Sequence, residues 1–304
     1  ETDSVTLHNL DDDTTVTVDV ASSNTAEGTV APATLTFTEN NWNTPQTVTV
    51  TGVNDTDTDG HQDYDISLSA ADQWTDNPEV TTLAGSGNAT FADGTGANAS
   101  FNTPFAMTID GTNLYVSDGT NHLIRKIVIS TGEVTTLAGS AGNSGSKDGT
   151  GTSATFKYPS GITSDGTNLY VADMHNHKIR KIVISTGEVT TLAGSAGNSG
   201  SKDGTGTSAT FKYPHGIVSD GSNLYISDKN NHKIRKIVIS SGVVTTLAGT
   251  GNAGSTDSTG TSASFSSPKN IISEGSYLYV TDRNNHKIRK IVTSSGVVTT
   301  LAGT

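Results

Sequence analysis

The chain has 304 residues, including 33 glycines and no cysteine, and its 30 acidic and 18 basic side chains give a formal net charge of −12. The absence of cysteine excludes a small disulfide-stapled domain. The sequence contains no run of about 18 apolar residues, so no membrane-spanning helix is predicted. The charge argues against nucleic-acid binding over the whole surface, because neutralising phosphates requires a basic surface. The abundance of Thr, Val, Gly, Asn and Asp predicts an all-β protein with many tight turns.

The charge changes sign along the chain. Residues 1–79 contain 16 Asp or Glu and no Lys or Arg, whereas residues 80–304 contain the other 14 acids and all 18 bases. The two parts therefore carry net charges of −16 and +4, which predicts two domains of different kinds. We place an acidic domain at 1–73, a linker at 74–79 and a second domain at 80–304.

The acidic part alternates apolar and polar residues with the period of β-strands at 15–20, 33–38, 46–51 and 64–69. This pattern predicts an antiparallel β-sandwich. Segments 23–30, 35–38 and 41–52 resemble the C-terminal two-thirds of Calx-beta-like domains from large bacterial surface proteins, over about residues 4–70. The resemblance implies a first strand before Ser4 that this sequence lacks, and an unpaired sheet edge of that kind favours strand addition.

Segment 55–65 has the densest cluster of carboxylates in the chain, followed by Gly60 within a turn. Alternating carboxylates place several hard oxygens on one side of a loop, as Ca²⁺ requires, although Ile66 replaces the bidentate Glu of an EF-hand. The Calx-beta resemblance implies that Ca²⁺ binds in such loops, with Asp11, Asp12 and Asp13 as a second acidic turn. A solvated acidic loop is the alternative. The candidate metal ligands are Asp55, Asp57, Asp59 and Asp63.

The second domain is a repeat. The segment VTTLAG begins at Val80, Val134, Val189, Val244 and Val298, at separations of 54, 55, 55 and 54 residues. Residues 124–159 recur without a change at 179–214. A period of about 55 residues indicates a repeat architecture with one supersecondary unit in each copy.

Each unit contains four strand-length segments, which in the first copy are 105–110, 113–118, 123–130 and 134–139. The turns between them are rich in Gly, Asn and Asp, so the unit is predicted to be a four-stranded antiparallel meander. A single meander cannot bury both faces, and units stacked radially form a β-propeller. A β-solenoid is the alternative, but its coils are usually shorter than 55 residues.

The motif Asn-His-x-Ile-Arg-Lys occurs four times, starting at Asn121, Asn176, Asn231 and Asn285. Together with the Asp three residues before it and the Pro that precedes the first strand, this motif resembles NHL repeats over residues 80–304. The resemblance implies a propeller whose relatives more often bind partners than catalyse reactions, although some are lyases or strictosidine synthase-like enzymes.

The sequence holds four units and one extra VTTLAG copy at 80–85. This copy has three possible roles: it completes a neighbouring blade, competes with 298–303 for ring closure, or belongs to an upstream unit.

The recurring Asp, His and Arg side chains are predicted to form a hydrogen-bonded set within each blade, which fixes the turn between the second and third strands. Histidines on separate blades lie around a ring, so we do not expect them to converge on a metal ion. These repeat-structural residues are Asp118, His122, Arg125, Asp173, His177, Arg180, Asp228, His232, Arg235, Asp282, His286 and Arg289.

These features favour a non-enzymatic structural or adhesive module at the cell surface or outside the cell, which contacts copies of itself or other surface proteins. Strand addition and opposite charges would assemble it head-to-tail. The alternative is a propeller that binds a glycan or another anionic partner through its Lys-Ile-Arg-Lys strips. The residues His175, His215, Lys269 and Arg283 break the repeat at blade loops, where binding residues usually lie, but they are isolated from one another in the sequence. An NHL-type lyase or hydrolase is a third hypothesis. We expect neither nucleic-acid binding nor membrane insertion, and the candidate glycosylation sites are Asn54, Asn88 and Asn98.

Overall fold

A computed structural model describes residues 2–7, 16–23, 25–26, 28–38, 41, 44–53, 65–70, 80–195 and 197–303. The chain divides into two compact units, Glu1–Thr81 and Thr82–Thr304. Both units consist of antiparallel strands, which confirms the predicted all-β class. Within the described ranges, no helix is long and apolar enough to cross a membrane.

The N-terminal unit contains two three-stranded antiparallel sheets, with the strand orders β1-β5-β3 and β4-β2-β6. Alternation along the strands directs Val20, Leu35, Phe37 and Val48 from both sheets into one buried cluster. The strands are β1 Thr2–Leu7, β2 Val16–Ser22, β3 Gly28–Ala31, β4 Thr34–Phe37, β5 Gln46–Gly52 and β6 Ile66–Ala70.

Strands β2, β4, β5 and β6 lie where alternation predicts them, whereas β1 and β3 were not predicted. Few of their residues are apolar, so their pairing with β5 has little signal in the sequence. The assignment of this unit to a Calx-beta-like domain remains a prediction, as do the boundaries at 73 and 80.

The described part of the C-terminal unit forms four five-stranded antiparallel sheets, which we call blades 1 to 4. Blade 1 contains β7 Gly94–Thr95, β8 Pro104–Ile109, β9 Asn113–Asp118, β10 Leu123–Val128 and β11 Glu133–Ala138. Blade 2 contains β12 Gly149–Thr150, β13 Pro159–Ser164, β14 Asn168–Asp173, β15 Lys178–Val183 and β16 Glu188–Ala193. Blade 3 contains β17 Gly204–Thr205, β18 Pro214–Ser219, β19 Asn223–Asp228, β20 Lys233–Val238 and β21 Val243–Ala248. Blade 4 contains β22 Ser258–Thr259, β23 Pro268–Glu274, β24 Tyr277–Asp282, β25 Lys287–Val292 and β26 Val297–Ala302.

Each blade follows one strand order, which in blade 2 is β12-β16-β15-β14-β13. Its four long strands match the predicted meander, while the two-residue strand at the outer edge is too short to show an apolar period. Short 3₁₀ turns join the strands at Gly96–Asn98, Gly151–Ser153, Met174–Asn176, Gly206–Ser208, Lys229–Asn231, Gly260–Ser262 and Arg283–Asn285.

Consecutive blades pack face to face, with their innermost strands β8, β13, β18 and β23 side by side in that order. Between blades 2 and 3, Tyr170 and Ile179 of blade 2 share one buried cluster with Phe211 and Ile217 of blade 3. Equivalent clusters join blades 1 and 2 and blades 3 and 4. We call the face that a blade turns to the preceding blade its leading face, and the opposite face its trailing face.

The extra VTTLAG copy at 80–85 is not part of a strand, unlike the other four copies. Ala84 packs against the leading face of blade 1, and the Gly85 amide donates a hydrogen bond to the Gly96 carbonyl (3.0 Å). Gly139 and Gly151 make the same bond between blades 1 and 2 (3.1 Å). The extra copy thus lies where the outer strand of a preceding blade would end.

Candidate functional site

A fully buried arginine lies at the centre of each blade. In blade 2, Arg180 Nη1 donates hydrogen bonds to Asp173 Oδ2 (2.8 Å) and to the Thr155 carbonyl (3.0 Å). Its Nη2 donates to Asp148 Oδ1 (2.8 Å) and to the Lys147 carbonyl (2.9 Å). The guanidinium carbon lies 4.9 Å from the centre of the Phe156 ring, a distance suited to a cation–π contact. Arg125, Arg235 and Arg289 bind equivalent partners.

Of the two aspartates that each arginine binds, the one that ends the second long strand of the blade is completely buried, as Asp173 is in blade 2. Asp173 also accepts hydrogen bonds from the Lys157 amide (2.8 Å) and Asn176 Nδ2 (2.8 Å). It therefore joins the segment before the inner strand, the 3₁₀ turn and the arginine. Burial raises the pKa of the Asp173 carboxyl, while Arg180 and these hydrogen bonds oppose the rise. Asp118, Asp228 and Asp282 occupy the same position in the other blades.

The second carboxylate was not anticipated as an arginine partner. The predicted repeat-structural set contained one aspartate in each blade. Instead, each arginine bridges two aspartates, and the second also accepts bonds from a threonine of the outer strand, as Asp148 does from Thr191. The signal for this residue is the 54–55-residue spacing of Asp93, Asp148, Asp203 and Asp257.

The histidines connect neighbouring blades, which differs from the predicted set within one blade. His177 Nδ1 accepts a hydrogen bond from the Tyr213 amide of blade 3 (3.1 Å). His122 and His232 make the same bond to the Tyr158 and Ser267 amides (3.2 and 3.0 Å). His286 of blade 4 has the same left-handed backbone but no such bond among the described residues. Within the described ranges, no three His, Asp or Glu side chains form a metal-binding group.

Three further groups of candidates are the metal ligands, the glycosylation sites and the basic strips. Asp55, Asp57, Asp59, Asp63 and Asn54 lie outside the described residues, and so do Asp11, Asp12 and Asp13. Asn88 and Asn98 are both exposed, and Asn98 ends a 3₁₀ turn. The arginines of the Lys-Ile-Arg-Lys strips are fully buried in ion pairs, so these strips offer an anionic partner only their lysines.

The leading face of blade 1 is covered less completely than the other leading faces. Met107 is 63% exposed, whereas Ile162, Ile217 and Ile271 at the equivalent position are 5–6% exposed. Leu114 is half-buried, while its counterparts in the other blades are fully buried. This face consists of Ala99, Phe101, Met107, Leu114, Val116, Ile127 and Val134.

The trailing face of blade 4 shows the complementary exposure. Ile288 is 36% exposed and Leu301 is 58% exposed, whereas Ile179, the counterpart of Ile288 in blade 2, is fully buried. Ala302 is also exposed, although its counterparts in the other three blades are fully buried. This face consists of Tyr279, Ile288, Leu301 and Ala302. The array therefore ends in two different apolar faces, which form the candidate interface.

No protein-family model matches the chain. The protein SUPPRESSOR OF QUENCHING 1, chloroplastic, of Arabidopsis thaliana is 31% identical over 237 residues, which cover 72% of this chain and 22% of that protein. NHL repeat-containing protein 2 of Homo sapiens is 33% identical over 144 residues, which cover 44% of this chain and 20% of that protein. The chain thus spans about a fifth of the length of these relatives.

The fold is also similar to that of a solved structure, an auxiliary nutrient binding protein from Bacteroides ovatus. The TM-score is 0.50 at 20% identity, over 67% of this chain and 50% of that protein. Together with the NHL repeat-containing relative, this similarity supports an NHL-type propeller.

The two carboxylates of one arginine should contribute unequally to stability. We expect Asp173→Asn to cost about 3 kcal/mol, because it leaves a buried guanidinium short of one counter-charge. Asp148→Asn should cost about 1 kcal/mol, because the Asp148 side chain is 48% exposed and water replaces part of the interaction. Urea unfolding followed by circular dichroism measures both, and equal costs would contradict the unequal roles.

The histidine bond between blades can be tested within the chain. We expect His177→Ala to cost about 1 kcal/mol more than His286→Ala, since only His177 accepts a hydrogen bond from the next blade. Both residues have φ near 55–58°, so the backbone effect of alanine cancels in the comparison.

Burial lowers the pKa of His177 below its ordinary value of 6.5. The unfolded state therefore takes up this proton first, and the stability that neutral His177 contributes is lost as the pH falls below about 6.5. The excess cost of His177→Ala in urea unfolding should shrink in acid. A constant excess from pH 7 to pH 4 would contradict this role.

Proposed function

We propose that the chain is a non-enzymatic module that mediates protein–protein contacts, and that its partner is a second copy of itself. In this assembly, the trailing face of blade 4 of one copy packs against the leading face of blade 1 of the next copy. The observation that carries the proposal is the exposure of Met107 on one of these unlike apolar faces and of Ile288 and Leu301 on the other, at opposite ends of the array. Exposed apolar patches of this kind are typical of interaction sites.

The three junctions inside the chain serve as templates for the contact between copies. At each junction a trailing face buries tyrosine, isoleucine and alanine against a leading face that supplies phenylalanine, leucine and a second isoleucine. Blade 4 and blade 1 retain residues of the same kinds at most of these positions, so the two faces complement each other.

One inner-strand position differs at the proposed junction. Asn270 of blade 4 occupies the place of Gly161 and Gly216, where an added Cβ would lie about 2.5 Å or less from the neighbouring backbone. Ala106 occupies the same place between blades 1 and 2, so this packing accepts a side chain there. We expect the inner strands to stand slightly farther apart at the junction between copies.

A contact between two different faces is heterologous, so it closes into a ring or extends as a filament. The charge difference between residues 1–79 and 80–304 supports head-to-tail association, since an acidic part of one copy attracts a basic part of the next. Strand addition at the N-terminal unit is a second route. Strand β6 lies at a sheet edge and carries the exposed Leu68.

The wider functional setting of the proposal is a structural or adhesive role at the cell surface or outside the cell. The unchanged recurrence of residues 124–159 at 179–214 favours a scaffold over an enzyme, since an active site at a propeller centre needs different residues from different blades. NHL repeat-containing relatives and a nutrient binding protein of similar fold support a role in binding.

Two single substitutions test the assembly. Met107→Lys places a charge on the leading face of blade 1, and Ile288→Lys does the same on the trailing face of blade 4. We expect the unaltered chain to associate with rising concentration in analytical ultracentrifugation, and each variant alone to remain monomeric. A mixture of the two variants should form a 1:1 dimer, because it contains one intact leading face and one intact trailing face.

The control is Leu68→Lys, which alters the sheet edge of the N-terminal unit and should leave association unchanged. Loss of association in Leu68→Lys alone would assign assembly to strand addition. A monomeric unaltered chain, or a variant mixture that stays monomeric, would contradict packing between blade 1 and blade 4.

Calcium binding at Asp55, Asp57, Asp59 and Asp63 is a separate part of the proposal. Binding to the folded state alone raises stability by RT ln(1 + [Ca²⁺]/Kd), so millimolar Ca²⁺ should raise the thermal unfolding midpoint. The double variant Asp57→Asn/Asp59→Asn should lose this rise, while Asp72→Asn keeps it. An equal response to Ca²⁺ in all three proteins would contradict the site.

A further inference from the structure

The residues that break the repeat meet at one end of the blades. The residue after the proline that opens each inner strand is Phe105, Ser160, His215 or Lys269 in blades 1 to 4. The residue after the buried aspartate is Gly119, Met174, Lys229 or Arg283. The Arg–Asp bridges remain the same in all four blades, so variation is concentrated where the inner strands and the 3₁₀ turns begin.

We call seven residues at this end of blades 2 to 4 the mouth: Tyr158, His175, Tyr213, His215, Lys229, Lys269 and Arg283. Pro214 pairs with Asp228, Pro268 pairs with Asp282, and the inner strands β18 and β23 lie side by side. This register places Lys229, Lys269 and Arg283 at the same end of blades 3 and 4. Partial burial lowers the pKa of Lys229, and Arg283 and Lys269 lower it further. Within the described part of the chain none of these three cations has an acidic partner, in contrast to the four buried arginines. A counter-charge from a ligand would relieve this repulsion.

His215 lies beside these cations at the edge of a central cleft of about 310 Å³. His215 is 7% exposed, and its buried Nδ1 atom has no hydrogen-bond partner among the described residues. The ring meets Phe105 edge-on with the centroids 6.1 Å apart. An unpaired polar atom at this depth is costly unless a partner is supplied, so a ligand with a hydroxyl or oxyanion group would satisfy it.

Aromatic rings continue the mouth from blade 3 back to blade 1. His175 stacks on Tyr158 with the centroids 4.7 Å apart and meets Tyr213 edge-on at 5.2 Å. His122 and His177 extend the row at 5.1 and 4.8 Å from their tyrosine neighbours. In the part of the chain that the structure describes, no hydrogen bond involves the hydroxyls of Tyr158 and Tyr213. By contrast, the hydroxyl of Tyr170 inside blade 2 donates a hydrogen bond to Asp165 Oδ2 (2.8 Å).

We propose that the mouth binds an anionic carbohydrate, whose carboxylate or sulfate lies between Lys229, Lys269 and Arg283 above His215. Three cations at the same end of two neighbouring blades match an oxyanion, and Arg283 can bind two of its oxygens at once. The sugar hydroxyls pair with His215 Nδ1 and the two free tyrosine hydroxyls, which are donors and acceptors of the right kind. The three cations and the two tyrosines lie outside the proposed end faces, although the cleft beside His215 shares Met107 with the leading face of blade 1.

The geometry favours a carbohydrate over a single-stranded nucleic acid. Recognition of bases depends on aromatic faces that are free for stacking, but His175 and Tyr158 already cover one face of each other. The chain as a whole is also acidic, whereas nucleic-acid binding requires a basic surface over several phosphates. A single oxyanion on a hydroxyl-rich ring needs only the local cluster of cations.

The test is isothermal titration calorimetry at low salt with four probes. The probes are a trigalacturonate, a sulfated heparin tetrasaccharide, neutral cellotriose and inorganic sulfate. The variants take the residues that blade 2 has at the same positions: His215→Ser and Lys269→Ser follow Ser160, and Arg283→Met follows Met174. The control Lys147→Ser/Lys202→Met removes two exposed positive charges away from the mouth.

We expect one of the two anionic sugars to bind and cellotriose not to bind. Lys269→Ser and Arg283→Met should each weaken binding about tenfold, as expected for loss of a hydrogen bond to a charged group. His215→Ser should also weaken it, while the control variant binds like the unaltered chain. Preference between the two sugars identifies the oxyanion as carboxylate or sulfate.

Four results would overturn the proposal. The first is that neither anionic sugar binds. The second is that inorganic sulfate binds as tightly as the sugars, which would reduce the site to a simple anion site. The third is that the control variant loses as much affinity as the mouth variants, which would indicate nonspecific charge attraction. The fourth, from a separate competition titration, is that a single-stranded RNA competes fully with the sugar and that its binding depends on the same residues. Circular dichroism of each variant establishes that loss of binding is not loss of folding.

Discussion

The C-terminal unit depends on one interaction, a buried arginine that bridges two aspartates in each blade. The guanidinium is surrounded by carboxylates, backbone carbonyls and a phenylalanine ring, so the charge is neutralised and most of its donors are bonded. Removing one partner from such a group is expensive, because a charge then stays buried without compensation. The bridge joins the segment before the inner strand to the outer strand and sets the alignment of the sheet. The rest of the blade can vary only where it leaves this bridge intact.

Blade packing follows from the same constraint. Because every blade keeps the same sheet, every blade also has one leading and one trailing apolar face, and three pairs of these faces bury each other inside the chain. The residues at the two ends are of the same kinds as those at the internal junctions, but Met107, Ile288 and Leu301 are exposed. Their exposure is therefore a property of position in the array rather than of composition. This is why we propose that the end faces pack against each other and that the partner is a second copy.

Regular and irregular positions have different roles in this architecture. The repeated Asp, Asn, His and Arg are buried or engaged within and between blades, so they are poor candidates for contact with a partner molecule. The irregular residues Lys229, Lys269, Arg283 and His215 are brought together at the mouth although they come from two blades. Two exact copies of one segment could not build such a site, because symmetry would spread identical side chains around the array. Divergence at a few positions on a fixed scaffold is sufficient to create the binding site that we propose at the mouth.

Much of the fold was determined by the sequence alone. The 55-residue period, the four strand-length segments and their Gly- and Asn-rich turns are local signals, and they predicted the long strands of each blade because alternation and turn chemistry act over a few residues. The strands β1 and β3 and the two-residue outer strands were not predicted, since their pairing depends on partners distant in sequence. The second aspartate of each arginine, the histidine bond to the next blade and the meeting of Lys229 with Lys269 and Arg283 were decided only by the tertiary structure. Each of these joins residues separated by about 30 to 55 positions, and only the packing of strands and blades brings such residues together.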